Sequence, residues 1–169
     1  MISIRPYRLE DAEACYQAVM ESLDELSRFM PWAHPDLTLE TQRTWVTSKV
    51  AAFEEGTEFE FVISSDEGHY LGGCGLNRID TPNRRANLGY WVKSSASGRG
   101  AATAAARLLV EWGFANTELH RLEVLVSTRN AASLRVAEKA GAVREGVLKS
   151  RLLLAGEWHD AVMHAFVRG

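Results

Sequence analysis

The sequence predicts a mixed α+β fold of about seven strands and about four helices, carried by a single domain over residues 1–169. Three observations predict it. The apolar spacing is helical up to Gly56 and switches to alternation from Glu58. Three strand-like runs between residues 58 and 92 are joined by short turns, the pattern of an antiparallel meander. After residue 93, helical and alternating segments take turns to the end of the chain. A chain of this size buries roughly 70% of the surface its unfolded form exposes, so its core needs no staples.

Residues 2–7 read as a short strand closed by Pro6. Over 9–26, Ala12, Cys15, Tyr16, Val19 and Leu23 recur near i, i+3, i+4, which predicts one helix. Pro31 and Pro35 break any helix that follows. A second helix is expected over 39–56, with Trp45, Val46, Val50 and Phe53 on its apolar stripe and Gly56 as its stop. In Glu58-Phe59-Glu60-Phe61, charge alternates with aromatic, which assigns Glu58 and Glu60 to the exposed face of a strand. The next strands are expected at 70–79, with glycines at 72, 73 and 75, and at 87–92. A loop over 93–100 opens a helix at 101–115, where Ala101, Ala105, Leu108, Leu109 and Trp112 make the core stripe. A strand at 122–126, a helix at 130–140 ending at Gly141, and strands at 143–154 and 158–167 complete the order β-α-α-β-β-β-α-β-α-β-β.

Composition excludes several classes. Hydrophobic residues make up 46% of the chain and charged residues 24%, the ordinary globular range. The formal net charge of -3 argues against a nucleic-acid partner. No apolar run approaches the roughly 20 residues of a membrane span, and no signal pattern opens the chain. Cys15 and Cys74 fit neither a disulfide framework nor a metal spacing and are expected to be buried thiols. These readings predict a cytoplasmic protein with no membrane partner and no bound metal.

The chemistry-bearing feature is the loop Ser97-Gly98-Arg99-Gly100-Ala101-Ala102. It follows a strand and opens a helix. A helix start leaves several backbone N–H groups unpaired at the positive end of the macrodipole. Glycines let that backbone approach a ligand, so the loop suits a phosphate or pyrophosphate. Arg99 adds a cation. A Walker-type loop is excluded because Ala101-Ala102 stand where Lys-Ser/Thr is needed. A dinucleotide fingerprint needs a small residue where Thr103 sits, and an antiparallel meander is the wrong preceding sheet.

The same loop resembles the cofactor loop of the GNAT acetyltransferases, Gln/Arg-x-x-Gly-x-Gly/Ala, with Ser97 at its first position. Further stretches carry the resemblance: Phe29-Met30-Pro31-Trp32, Leu71-Gly72-Gly73 through Leu76-Asn77-Arg78-Ile79, Leu88-Gly89-Tyr90-Trp91, Asn130-Ala131-Ala132-Ser133, Ala137-Glu138-Lys139-Ala140-Gly141, Glu145-Gly146 and Trp158-His159-Asp160. Together they cover nearly the whole chain and are most similar to the RimJ/RimL-type ribosomal-protein N-terminal acetyltransferases.

The resemblance implies a sheet with two splayed parallel central strands, here ending near Val92 and Val126. It implies acetyl-CoA as cosubstrate and direct attack of a neutral amine on the thioester, without metal. Tyr90, Trp91 and Val92 would flank the pantetheine arm, and Gly98, Arg99, Gly100, Ala101, Ala102 and Thr103 would hold the pyrophosphate. Asn130 would contact the pantetheine region, although its position also suits a plain helix cap. Ser133 would lie near the sulfur and assist thiolate departure, since Ala137 occupies the position where many relatives carry a tyrosine acid. Two positions where the RimL-type pattern has a glutamate hold Leu152 and Asn87 here. Glu58, Glu60, His34, His120 and Asp160 remain as candidate bases.

Phe29, Met30 and Trp32 are expected to wall the acceptor site, with Tyr90 opposite. The resemblance favours a protein N-terminal amine as acceptor; a small-molecule amine, and a non-catalytic acyl-CoA sensor, stay open as alternatives. A homodimer is implied by resemblance only.

Overall fold

The computed structural model describes residues 1–169. The chain runs β1 (Ile2–Pro6), α1 (Ala12–Glu21), α2 (Leu23–Leu26), α3 (Leu39–Glu55), β2 (Phe59–Ser65), β3 (Tyr70–Asp80), β4 (Arg85–Val92), α4 (Ala101–Asn116), β5 (Arg121–Ser127), α5 (Ala131–Ala140), β6 (Val143–Leu154) and β7 (Glu157–Val167). Seven strands form one mixed sheet in the order β1-β2-β3-β4-β5-β7-β6. Every neighbouring pair is antiparallel except β4 and β5.

Strand alternation sorts the side chains into two layers. Phe61, Ile63, Cys74, Leu76, Leu88, Tyr90, Leu122 and Val124 face α4 and α5 in the larger core, where Leu109 and Ala105 of α4 are fully buried. Burying each large aliphatic side chain contributes roughly 1.5–3 kcal/mol. Tyr7, Val62, Cys15, Val19 and Val46 form a second core between the other face and the layer of α1 and α3. The expectation of two buried thiols holds, with Cys15 and Cys74 free and one in each core.

The expected single helix over 9–26 is instead a 3-10 turn, α1 and α2, which raises the α-helix count to five. The break falls at Ser22, whose backbone leaves helical geometry at φ -111° and ψ 12°. Its hydroxyl accepts a hydrogen bond from the Ser94 N–H at 2.8 Å, and the Glu21 carboxylate accepts one from the Ser95 N–H at 3.2 Å. The end of α1 therefore buttresses the segment that leads into α4.

β4 and β5 pair over only three residues, Arg85 with Arg121, Ala86 with Leu122 and Asn87 with Glu123. Beyond them the strands diverge. The closed end is clamped by charge: Glu123 accepts from Arg121 at 2.7 Å and faces Arg85 at 3.7 Å, and Arg121 also pairs with Glu145 of β6. No helix is long and apolar enough to cross a membrane.

Candidate active site

The glycine loop enters α4 through two left-handed residues, Gly98 at φ 73° and Gly100 at φ 81°. An L side chain rarely adopts that conformation. A Cβ added at either position meets nothing within 4 Å, so the loop faces open space. Gly100 is the residue before α4, and the first helical bond runs from the Ala104 N–H to the Gly100 carbonyl at 3.0 Å. The amides of Ala101, Ala102 and Thr103 precede that bond and carry the positive end of the dipole. Ser97 and Arg99 are exposed, and no acidic partner holds Arg99. The buried Ala101, Ala102, Ala105 and Ala106 anchor this helix end to the sheet.

Beyond Asn87 and Glu123, β4 keeps β3 on one side and β5 keeps β7 on the other. Their inner edges, Leu88 to Val92 and Val124 to Ser127, lack a strand between them. Such unpaired backbone donors and acceptors fit an extended amide-bearing ligand, which would add bonds much as a strand does. Tyr90, Trp91 and Val92 lie on that edge.

At the start of α5, the Asn130 Oδ1 accepts from the Ser133 N–H at 3.2 Å, a helix cap. Tyr90 reaches across from β4: its hydroxyl donates to the Ser133 carbonyl at 2.9 Å and lies 3.1 Å from the Ser133 Oγ. Burial raises the Tyr90 phenol to about 12, although the Ser133 contact pulls the other way. Tyr90 therefore stays protonated and keeps its hydrogen bonds at working pH.

The residues expected to wall the acceptor are arranged differently from expectation. Tyr90 does not stand opposite Trp32. Alternation turns Tyr90 into the α4/α5 core, and its neighbour Trp91 faces the α1/α3 layer. Trp91 meets Trp32 edge-on at 5.5 Å between ring centroids. Met30 packs against the same core and Phe29 is half-buried. Trp32 remains 42% exposed, so an aromatic edge is free to meet a ligand.

The candidate bases separate by geometry. Glu58 is ion-paired to Lys49 of α3. Asp160 is held by the Ser150 N–H and by Lys149, which lower its carboxyl below the usual range. His34 and His120 are exposed. Leu152 lies on the outer strand β6 opposite His159. Glu60 is different, since its carboxylate lies across Gly75 of β3, accepts from the Asn77 amide at 3.1 Å, and is pushed up by burial.

A left-handed glycine turn opening a helix, at the end of a strand that parts from its parallel neighbour beyond Asn87, is the arrangement an acyl-CoA-type acyltransferase uses. Residues 2–143 match the family described as the acetyltransferase (GNAT) domain. The chain is 32% identical over 162 residues to YjcK of Bacillus subtilis (strain 168), described as a probable N-acetyltransferase, covering 94% of this chain and 90% of that one. It is 27% identical over 150 residues to the ribosomal-protein-serine acetyltransferase of Escherichia coli (strain K12), covering 89% and 83%. Mycobacterium smegmatis RimJ, solved in complex with CoA-disulfide, superposes with a TM-score of 0.86 at 28% identity over 98% of this chain and 81% of its own. The chain belongs to the GNAT acetyltransferase family and is an acetyl-CoA-dependent N-acetyltransferase.

Proposed function

We propose that the acceptor is the N-terminal α-amine of a protein, of the ribosomal-protein type acted on by the Escherichia coli relative, and that the enzyme works in the cytoplasm. The observation that carries the site assignment is the open edge between β4 and β5, which begins beyond Asn87 on the strand that leads to the loop at Gly98 to Gly100 and the start of α4. Pyrophosphate oxygens take the free amides of Ala101 to Thr103, and Arg99 adds charge. The pantetheine amides occupy the unpaired backbone of Tyr90, Trp91 and Val92, with Asn130 at the far side. A free N–H on the β4 edge supports the carbonyl oxygen as negative charge develops there. The Ser133 hydroxyl, held by Tyr90, gives a proton to the departing thiolate. The acceptor enters past Phe29, Met30 and Trp32.

The test is thiol release from acetyl-CoA with N-terminal peptides, free amino acids and spermidine, with the product located by mass spectrometry. Acetylation confined to peptide α-amines supports the proposal. Turnover of spermidine or amino acids alone overturns the protein acceptor. Tight acetyl-CoA binding with no turnover on any amine favours a sensor. Ser133→Ala should lower kcat on the best acceptor while leaving acetyl-CoA affinity unchanged; an unaltered kcat removes Ser133 from the chemistry. The homodimer implied by the resemblance belongs to the same proposal, and sedimentation at the monomer mass would overturn it.

A further inference from the structure

The two positions where a glutamate would be sought hold Leu152 and Asn87, yet a carboxylate stands on the same sheet face two strands away from the opening. Glu60, Gly75 and Gly89 share one cross-strand line, because Glu60 pairs with Gly75 and Gly75 with Gly89. All three face the α1/α3 layer, alternate to Phe61, Cys74 and Tyr90 in the larger core. Gly75 has no side chain to oppose Glu60. A Cβ there would fall 2.1 Å from the Glu60 Oε2, so only glycine lets the carboxylate lie across β3. On β4, a Cβ at Gly89 would meet only the Asn87 Nδ2, at 3.8 Å. Open space therefore lies between the carboxylate and the edge where β4 leaves β5.

The carboxylate is held in place. Its Oε1 accepts from the Asn77 Nδ2 at 3.1 Å, and the Asn77 Oδ1 accepts from the Asn87 Nδ2 at 3.0 Å. Oε2 has no hydrogen-bond partner in the protein. The two amides run from Glu60 to Asn87, the last residue of β4 paired to β5. Neighbouring strands lie about 4.8 Å apart, so an amine over Gly89 is about one strand spacing from the carboxylate and borders the opening. That is the reach of one bridging water.

Two other carboxylates on this face are committed. Glu123 is bound by Arg121 and Arg85, and Glu58 by Lys49. His159 places one ring nitrogen 2.7 Å from the Ser127 Oγ and the other 3.4 Å from the Arg129 guanidinium.

We propose that the Glu60 carboxylate receives the acceptor's ammonium over Gly89 and takes its proton before attack on the thioester. The inference rests on the acetyltransferase reading above. The first proton passes from the ammonium to Glu60 and on to solvent. The neutral nitrogen then bonds to the thioester carbon, the C–S bond breaks with its electron pair on sulfur, and the second amine proton ends on that sulfur. The products are the N-acetyl amine, CoA thiol and one released proton.

Glu60→Gln keeps the size and the acceptor atom for Asn77 while removing the charge. On the best acceptor, kcat should fall about 100-fold or more, the usual weight of a positioned base. Acetyl-CoA affinity should hold within two-fold, and the low-pH limb of the kcat/KM profile should lose the titration present in wild type. The groups near Glu60 that could shape that limb are Lys49 of α3, Glu58 and Tyr7, with Cys74 behind it on the other sheet face; Lys49→Met serves as the control that keeps the limb. Melting temperature should rise at neutral pH, because burial opposes the Glu60 charge. A merely structural Glu60 would leave kcat within three-fold and the limb in place, which overturns the inference. A wild-type enzyme that binds acetyl-CoA but acetylates no amine overturns the acetyltransferase reading itself, and this proposal with it.

Discussion

Gly100→Ala perturbs the cradle with one methyl group. The added Cβ meets no protein atom within 4 Å, so the substitution creates no internal clash. Its cost is conformational: at φ 81° an alanine is strained by roughly 1–2 kcal/mol. For a chain of this size that lowers Tm by roughly 2–8 °C. Relaxing the strain turns the amides of Ala101 to Thr103 away from their common focus, and the methyl occupies the space they face. Losing one charge-assisted hydrogen bond costs roughly 1.5–3 kcal/mol. At about 1.4 kcal/mol per decade, Kd for CoA should rise roughly 10- to 100-fold. Calorimetric titration with CoA, beside a thermal melt of the free protein, reads both effects. A melt that drops as expected with CoA affinity unchanged within two-fold would refute the cradle, since the backbone would have been disturbed without consequence for the ligand.

Two further outcomes are expected. Trp32→Ala removes an exposed ring from Trp91; it should raise KM for the acceptor about five-fold or more without changing CoA affinity, while the lost aromatic pair costs only about 1 kcal/mol of stability. Equal effects on both substrates would show that Trp32 supports the fold rather than the acceptor. Asp11 gives a pH prediction. Burial raises its carboxyl, but two hydrogen bonds from Arg5 and one from the Arg8 N–H outweigh that and leave it lowered. A lowered folded value means stability that is present above the unfolded value near 3.8 and lost as pH falls through the folded one. Asp11→Asn should destabilise by about 2 kcal/mol at neutral pH, less than a fully buried pair because Arg5 is 35% exposed. The difference from wild type should shrink in melts below pH 4, and a constant difference down to pH 2 would contradict the assignment.

Local pattern was enough to recover the strands and most helix ends. Gly56 and Gly141 stop α3 and α5 where spacing placed them. What it missed depends on partners far along the chain. The break at Ser22 is made by the Ser94 amide, 72 residues away, and nothing in 9–26 announces it. The alternation of Tyr90 and Trp91 was legible, but not which of them meets the segment after α2. Glu60 was assigned to an exposed face because its neighbours alternate; the glycine that shelters its carboxylate lies on the next strand. The glycines at 72, 73 and 75 were the available signal, since a strand that gives up so many side chains leaves space for something else. The opening between β4 and β5 came from resemblance, because three residues of parallel pairing leave no local signature.

Ser22 has a consequence for how the two substrates meet. The residue that ends α1 is hydrogen-bonded to the strap that leads into the glycine loop, and the chain beyond it runs through α2 to Trp32, which meets Trp91. On the proposed reading, the end of α1 is tied to the segment before the donor loop and continues through α2 into the acceptor segment. With the sites as proposed, Ser22→Ala should raise KM for the acceptor and for acetyl-CoA together in steady-state assays, and unchanged values for both would show that the joint at Ser22 does not set their spacing.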